Sequence, residues 1–139
     1  MTTAVESSVL LDVLAGTAEA SQLAADTLAL CAAQGRLIVC ETVLAEVTPE
    51  IGAELVDDFL SDWQIEFAPS SAASAVLAGR MHSDYLRRGG RRGRVVPDFL
   101  IGAHALTHAN RLLTRDAGFS RDYFKGLTII PPTSGKPTG

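Results

Sequence analysis

No part of this 139-residue sequence stays apolar for long: the longest uninterrupted run, Leu28 to Ala33, is six residues, against the roughly 20 that span a bilayer. A membrane-spanning helix is therefore not expected. The amino terminus does not read as a secretory leader, because no basic residue precedes the first apolar stretch and Glu6 and Asp12 interrupt it. The expected address is cytoplasmic. Cysteine is scarce, and Cys31 and Cys40 lie in apolar surroundings without C-x-x-C spacing, which marks them as small buried hydrophobes rather than a redox pair. Neither G-x-G-x-x-G nor G-x-x-x-x-G-K occurs, so the usual cradle for phosphates at a helix start is missing and dinucleotide oxidoreductases lose weight. Aromatic residues are 6% of the chain and form no evident cluster on which RNA bases would stack. There is no internal repeat.

What is present is enough apolar sequence for one core. Apolar residues make up 47% and charged residues 20%, which offsets the entropy of ordering and excludes wholesale disorder. One domain is expected over 1–131, followed by a flexible Pro/Gly tail over 132–139. Charge is placed unevenly. Between Arg80 and Arg94 stand six arginines against Asp84 alone, a local +5 in a chain of net −4, which leaves −9 for the remainder. Such a segment, punctuated by Gly89, Gly90 and Gly93, suits either a solvated loop or a phosphate backbone, to which guanidinium groups bind bidentately.

Short apolar segments alternate with helical ones. Strands are predicted at Thr3–Val5, Leu37–Cys40, Ile65–Ala68, Arg111–Thr114 and Leu127–Ile130. Between them, helices are predicted from Ser7 or Ser8 (as cap) to Leu14, from a Thr17 cap to about Ala33 with Leu23, Thr27, Leu30 and Cys31 near helical spacing, and from Glu41 to Val47, stopping at Pro49. Others run from Glu50 to Trp63 with Ile51, Leu55, Phe59 and Leu60 on one face, from a Ser70 or Ser71 cap to about Leu86, and from Pro97 to about Ala109, with a brief turn near Ser120 to Phe124. Alternation of this kind predicts an α/β fold with a central parallel sheet of four to five strands and helices on both faces, since parallel neighbours require crossovers.

Ligands bind beyond the carboxyl ends of strands in such sheets, which singles out Glu6 after the first strand and Asp116 after the fourth. Either also suits a duller role, Glu6 as a loop acid and Asp116 as the cap of a turn. Asp98 falls in the first turn of its helix, where the dipole favours a carboxylate whatever its task. It shares a stripe with the small residues Gly102 and Ala105 and is expected to point inward. On the short helix, Glu41 lies about 160° from Val43 and Glu46 about 60°, so Glu46 borders the apolar face. Four converging acids would repel one another unless a cation neutralised them, and all-oxygen ligands suit Mg²⁺ or Mn²⁺. His104 and His108 have i, i+4 spacing but lack the glutamate of H-E-x-x-H, which weighs against zinc. His82 has no recognisable partner.

The stretch R-G-R-V-V-P-D-F-L-I-G-A-H-A-L-T-H-A-N-R-L-L-T-R-D-A-G-F (Arg92 to Phe119) resembles the C-terminal half of PIN-domain proteins, above all the toxin subunits of VapBC-type toxin and antitoxin pairs. E-S-S-V-L-L-D-V-L from Glu6 and V-L-A-E-V from Val43 fit the same pattern in order, so the resemblance spans nearly the whole chain. It implies a PIN-like three-layer sandwich and a metal-dependent endoribonuclease, with Glu46, Asp98 and Asp116 matching the family's acids. Glu6 matches with one methylene more than the usual Asp. Glu6, Asp98 and Asp116 are the implied ligands of Mg²⁺ or Mn²⁺, and Glu46 a second-metal ligand or the group orienting the attacking water. Ser8 and Thr114 stand where hydroxyls support the acids, and Asn110 lies outside the cluster. Arg87, Arg88, Arg91, Arg92 and Arg94 are the implied contacts to an RNA substrate. A protein antitoxin and a homodimer are the further partners implied. Two other readings remain: a PIN-fold binding module that lost turnover through Glu6, and a receiver-like phosphoacceptor, which Lys125 and Lys136 fit poorly because neither follows the last strand within the domain.

Overall fold

The computed structural model describes residues 1–90, 95–116, 118 and 124–133. Five strands, β1 (Thr2–Val5), β2 (Arg36–Val39), β3 (Ile65–Phe67), β4 (Arg111–Leu113) and β5 (Ile129–Ile130), form one sheet in the order β3-β2-β1-β4-β5. Every pairing is parallel, with Ala4 opposite both Ile38 and Leu112. Burial on both faces explains why the central strands read as apolar runs rather than alternating ones: Ala4 and Val5, Leu37 to Val39, and Leu112 and Leu113 are all buried.

Helices α1 (Ser7–Ala15) and α2 (Ala18–Gln34) connect β1 to β2, and α3 (Glu41–Ile51) and α4 (Val56–Asp62) connect β2 to β3. Helices α5 (Ala72–Arg87) and α6 (Val96–His108) return the chain across the sheet to β4. Because the direction of travel reverses there, right-handed crossovers put α5 and α6 on the face opposite α1 and α2. The two faces thus carry helices, as the alternation predicts. No helix among the described residues is long and apolar enough to cross a membrane.

Several boundaries differ from the sequence reading, each for a local reason. Glu6, rather than Ser7 or Ser8, caps α1, its carboxylate accepting the Ser8 N–H. Pro49 does not stop α3, which continues to Ile51; the proline sits in the last turn, where few intrahelical bonds are lost, and the neighbouring Thr48 hydroxyl donates to the Leu44 carbonyl at 2.6 Å. The expected single helix from Glu50 is broken instead at Gly52 and at a 3₁₀ turn, Ala53–Leu55, which leaves Leu55 exposed. In α2 the buried stripe is Ala24, Thr27, Leu28 and Cys31, and Leu30 faces outward. Thr17 and Ser71 cap α2 and α5 as expected. β3 and β5 are shorter than predicted, and α6 starts one residue earlier, at Val96. The expected tail includes Pro132 and Thr133, and the Thr133 N–H donates to the buried Thr27 hydroxyl at 2.8 Å, which ties Thr133 to α2. The turn expected at Ser120 to Phe124 and the tail beyond Thr133 fall, apart from Phe124, outside the described residues.

Cys31 and Cys40 are buried and free. Phe99 and Phe124 are the largest fully buried side chains, 6.2 Å apart between ring centroids. His82 and Tyr85 of α5 also pack on Phe99, at 4.9 and 5.5 Å, which gives His82 the partner that the sequence did not reveal. Gly102 makes this packing possible: a Cβ there would lie 2.1 Å from the Phe124 ring. Gly102→Ala is therefore expected to lower stability by about 1–3 kcal/mol, the usual range for overpacking, as measured by urea denaturation; an unchanged midpoint would show that Phe124 has room to retreat.

Candidate functional site

The strand order reverses direction on the two sides of β1, so the gap between the carboxyl ends of β1 and β4 is the topological switch point, where open α/β sheets bind ligands. Glu6 immediately follows β1 and Asp116 follows β4 by three residues. The Glu6 N–H donates to the Leu113 carbonyl at 3.0 Å, which ties the ends of the two strands together. Its side chain then closes the same joint. Glu6 Oε2 accepts the Ser8 N–H at 2.9 Å and the Thr114 hydroxyl at 3.1 Å, and it is also bonded by the Ser8 hydroxyl. Thr114 is fully buried, and its Oγ1 accepts the Asp116 N–H at 3.0 Å. Glu6, Thr114 and Asp116 are thereby one hydrogen-bonded series across the switch point.

Glu46 reaches the site from α3. Its Oε1 accepts the Ser7 hydroxyl at 2.6 Å, and Ser7 is buried at the start of α1, so the glutamate is tied to the residue next to Glu6 although it is itself exposed. Glu41, the alternative on that helix, is engaged elsewhere: it accepts the Ser70 N–H at 2.8 Å, before α5. Burial pushes the Glu6 carboxyl above the usual carboxylate range, and the negative charge of Glu46 adds to the rise; bonds from Ser8 and Thr114 act the other way without cancelling it.

Asp98 occupies the third position of α6. That helix runs into β4 and is antiparallel to it, so its first turn lies at the same end of the sheet as Glu6 and Asp116. The side chain is half-buried and bonds at the start of its own helix. Asp98 Oδ2 accepts the Val95 N–H at 3.2 Å, capping its own helix, because a helix start leaves backbone donors without partners. Asp116 likewise accepts the Gly118 N–H at 2.9 Å. Each acid is therefore occupied by a local donor. Among the described residues no three His, Cys, Asp or Glu side chains come close enough together to hold a metal ion, so the expected triad of Glu6, Asp98 and Asp116 is not assembled in this arrangement. The donor chemistry nevertheless suits a hard cation: carboxylates flanked by hydroxyls, with no nitrogen or sulfur ligand among them.

The remaining candidates fall elsewhere. His104 Nε2 donates to the Ala68 carbonyl at 2.7 Å and its ring lies 5.0 Å from that of His108; burial holds its pKa below the ordinary imidazole value, as befits a neutral core histidine. Asn110 pairs with Thr2 at the amino end of the sheet, away from the acids. Arg87 is exposed and paired with Asp84 at 2.9 Å, and Arg88 is exposed. Arg91, Arg92 and Arg94 lie outside the described residues. Sequence reasoning missed Ser7 and the pair Asp12–Arg115, whose Oδ2 and Nε are 3.0 Å apart. A lone acid inside the apolar helix V-L-L-D-V-L was the signal for the second, and adjacency to Glu6 for the first.

No protein-family model matches the sequence, and no curated protein does. Solved structures do. A chain of VapBC2 from Rickettsia felis, bound to a DNA fragment from its promoter, superposes with a TM-score of 0.74 at 21% identity, covering 94% of this chain and 98% of that one. A chain of the DNA-bound VapBC from Salmonella typhimurium superposes with a TM-score of 0.70 at 14% identity over the same shares. The PIN-like α/β fold with its five-stranded parallel sheet is shared with these chains.

A raised carboxyl pKa means that the folded state binds the proton more readily than the unfolded one, so stability falls as pH rises from the ordinary value of 4.5 through the folded value. Glu6→Gln, which mimics the protonated form, is accordingly expected to raise the Tm of metal-free protein at pH 7 and to lose that advantage as pH falls to 4. A gain that persists undiminished at pH 4 would show that charge is not its cause.

Proposed function

We propose that the chain is the toxin subunit of a type II toxin and antitoxin pair, acting in the cytoplasm as an endoribonuclease dependent on Mg²⁺ or Mn²⁺. One observation carries the reading: the hydrogen-bonded series of Glu6, Thr114 and Asp116 sits at the switch point of a fold shared with VapBC chains. Glu6, Asp98 and Asp116 would hold the ion. A bound divalent cation supplies water of lowered pKa and neutralises charge on the phosphate. The chain's own groups do the rest. Ser8 and Thr114 fix the orientation of Glu6, Ser7 holds Glu46 where it can orient the attacking water and take its proton, and the arginines Arg87, Arg88, Arg91, Arg92 and Arg94 bind the RNA backbone. The partners in this reading are RNA, a cognate protein antitoxin and a second copy of the chain.

A second reading is favoured by two observations: no three His, Cys, Asp or Glu side chains among the described residues are grouped closely enough to hold a metal ion, and Glu6 is one methylene longer than the aspartate of the family it resembles. On that reading the chain is a PIN-fold module that binds RNA or protein without turnover.

Asp98→Asn keeps an oxygen to cap α6 but removes the charge, so Mn²⁺-dependent cleavage of RNA is expected to fall by at least about a hundredfold with the circular dichroism spectrum unchanged. Cleavage by the purified variant at the wild-type rate would remove Asp98 from the site. Glu6→Asp in the same assay separates the two readings: the nuclease reading expects cleavage by the wild-type chain, and the module reading expects cleavage only in the variant.

A further inference from the structure

We infer that Asp12, outside the acidic group, is a positioning residue that fixes the turn bearing Asp116 against α1; for the chemistry of that turn the inference rests on the nuclease reading above. Asp12 is only 8% exposed, in a helix that contains no basic residue. Burying a carboxylate there is unfavourable unless a cation meets it. The cation comes from the far end of the sequence: Arg115 Nε lies 3.0 Å from Asp12 Oδ2. Arg115 stands between Thr114 and Asp116, and its N–H points at the Ser8 Oγ, 3.5 Å away. The turn after β4 therefore touches α1 at successive heights, with Thr114 on Glu6, the Arg115 backbone facing Ser8, and the Arg115 side chain on Asp12.

The first two of those contacts run through hydroxyls, those of Thr114 and Ser8, that also serve Glu6. The third is a charged pair one turn further along the helix, and it lies in a cleft of about 250 Å³ walled by Ala20 and Leu23 of α2 and by Pro131 and Pro132. The acid is on the buried side of the pair, while the Arg115 side chain is more than half exposed at the mouth of the cleft. The bond from the Thr133 N–H to the Thr27 hydroxyl holds those prolines beside α2. An apolar residue at position 12 would serve α1 packing at least as well, since it would spare the helix the desolvation of a carboxylate. What it would not do is grip the residue next to Asp116.

The test compares the full chain with Asp12→Asn and Asp12→Glu. Amide exchange of Arg115, Asp116 and Gly118 in metal-free protein is expected to quicken about tenfold in Asp12→Asn, with exchange of Leu28 and Ile38 in the core unchanged, and to return toward wild type in Asp12→Glu. Mn²⁺ affinity, followed by electron paramagnetic resonance, is expected to fall about tenfold in Asp12→Asn, as it does when an outer partner of a ligand is removed. Exchange that quickens throughout the chain would make Asp12 a residue of general stability and overturn the inference. So would local exchange unchanged from wild type, or undiminished Mn²⁺ affinity in Asp12→Asn. Failure of the wild-type chain itself to bind Mn²⁺ would overturn the metal-site reading, and is distinguishable because the exchange measurement requires no metal.

Discussion

A parallel sheet cannot be closed by hairpins, and this constraint places everything else. Each strand must be followed by a helix that carries the chain back, so every strand end and every returning helix start is delivered to one edge. With β1 at the centre and the chain leaving it first toward β2 and later toward β4, the crossovers part above β1 and leave a crevice. Glu6 and Asp116 stand on its two walls because they follow the ends of β1 and β4 by one and three residues. Asp98 reaches the same edge because α6 must run antiparallel to the strand it feeds. No single residue was needed to bring the three acids there; topology alone did so.

Electrostatics then decides how they stand. Carboxylates at one sheet end repel, and the resting arrangement relieves this by giving each a donor of its own: hydroxyls and an amide for Glu6, the Ser7 hydroxyl for Glu46, helix and turn amides for Asp98 and Asp116. Glu6 keeps a raised pKa chiefly because it is buried, with the charge of Glu46 adding a lesser share. In the nuclease reading, a divalent cation competes with these local donors, and the hydroxyl network around Glu6 compensates for a side chain one methylene longer than aspartate by fixing where its Oε2 lies.

Much of this was legible in the sequence, and the illegible part has a common cause. Apolar runs such as Leu37 to Val39 and caps such as Thr17 and Ser71 are local signals, and they located the strands, most helices and the parallel sheet. Acids just after strands could be placed at the site edge for the same reason. Side-chain direction was harder to read. The helical stripe of Asp98 suggests an inward side chain, while its carboxylate bonds the Val95 N–H at the start of its own helix. Pro49 reads as a stop because propensity ignores where in a helix the proline falls. The pairing of Asp12 with Arg115 joins residues 103 positions apart, and nothing in either neighbourhood names the other.

The most direct measurement is the anomalous difference density of a crystal soaked in Mn²⁺. If the acids at the switch point form a hard-cation site, the density will show manganese bonded at roughly 2.1 Å by carboxylate oxygens of Glu6, Asp98 and Asp116, with Asp98 released from the Val95 N–H. Manganese that is absent from the crevice at saturating concentration, or that binds without Asp98 and Asp116, would contradict it.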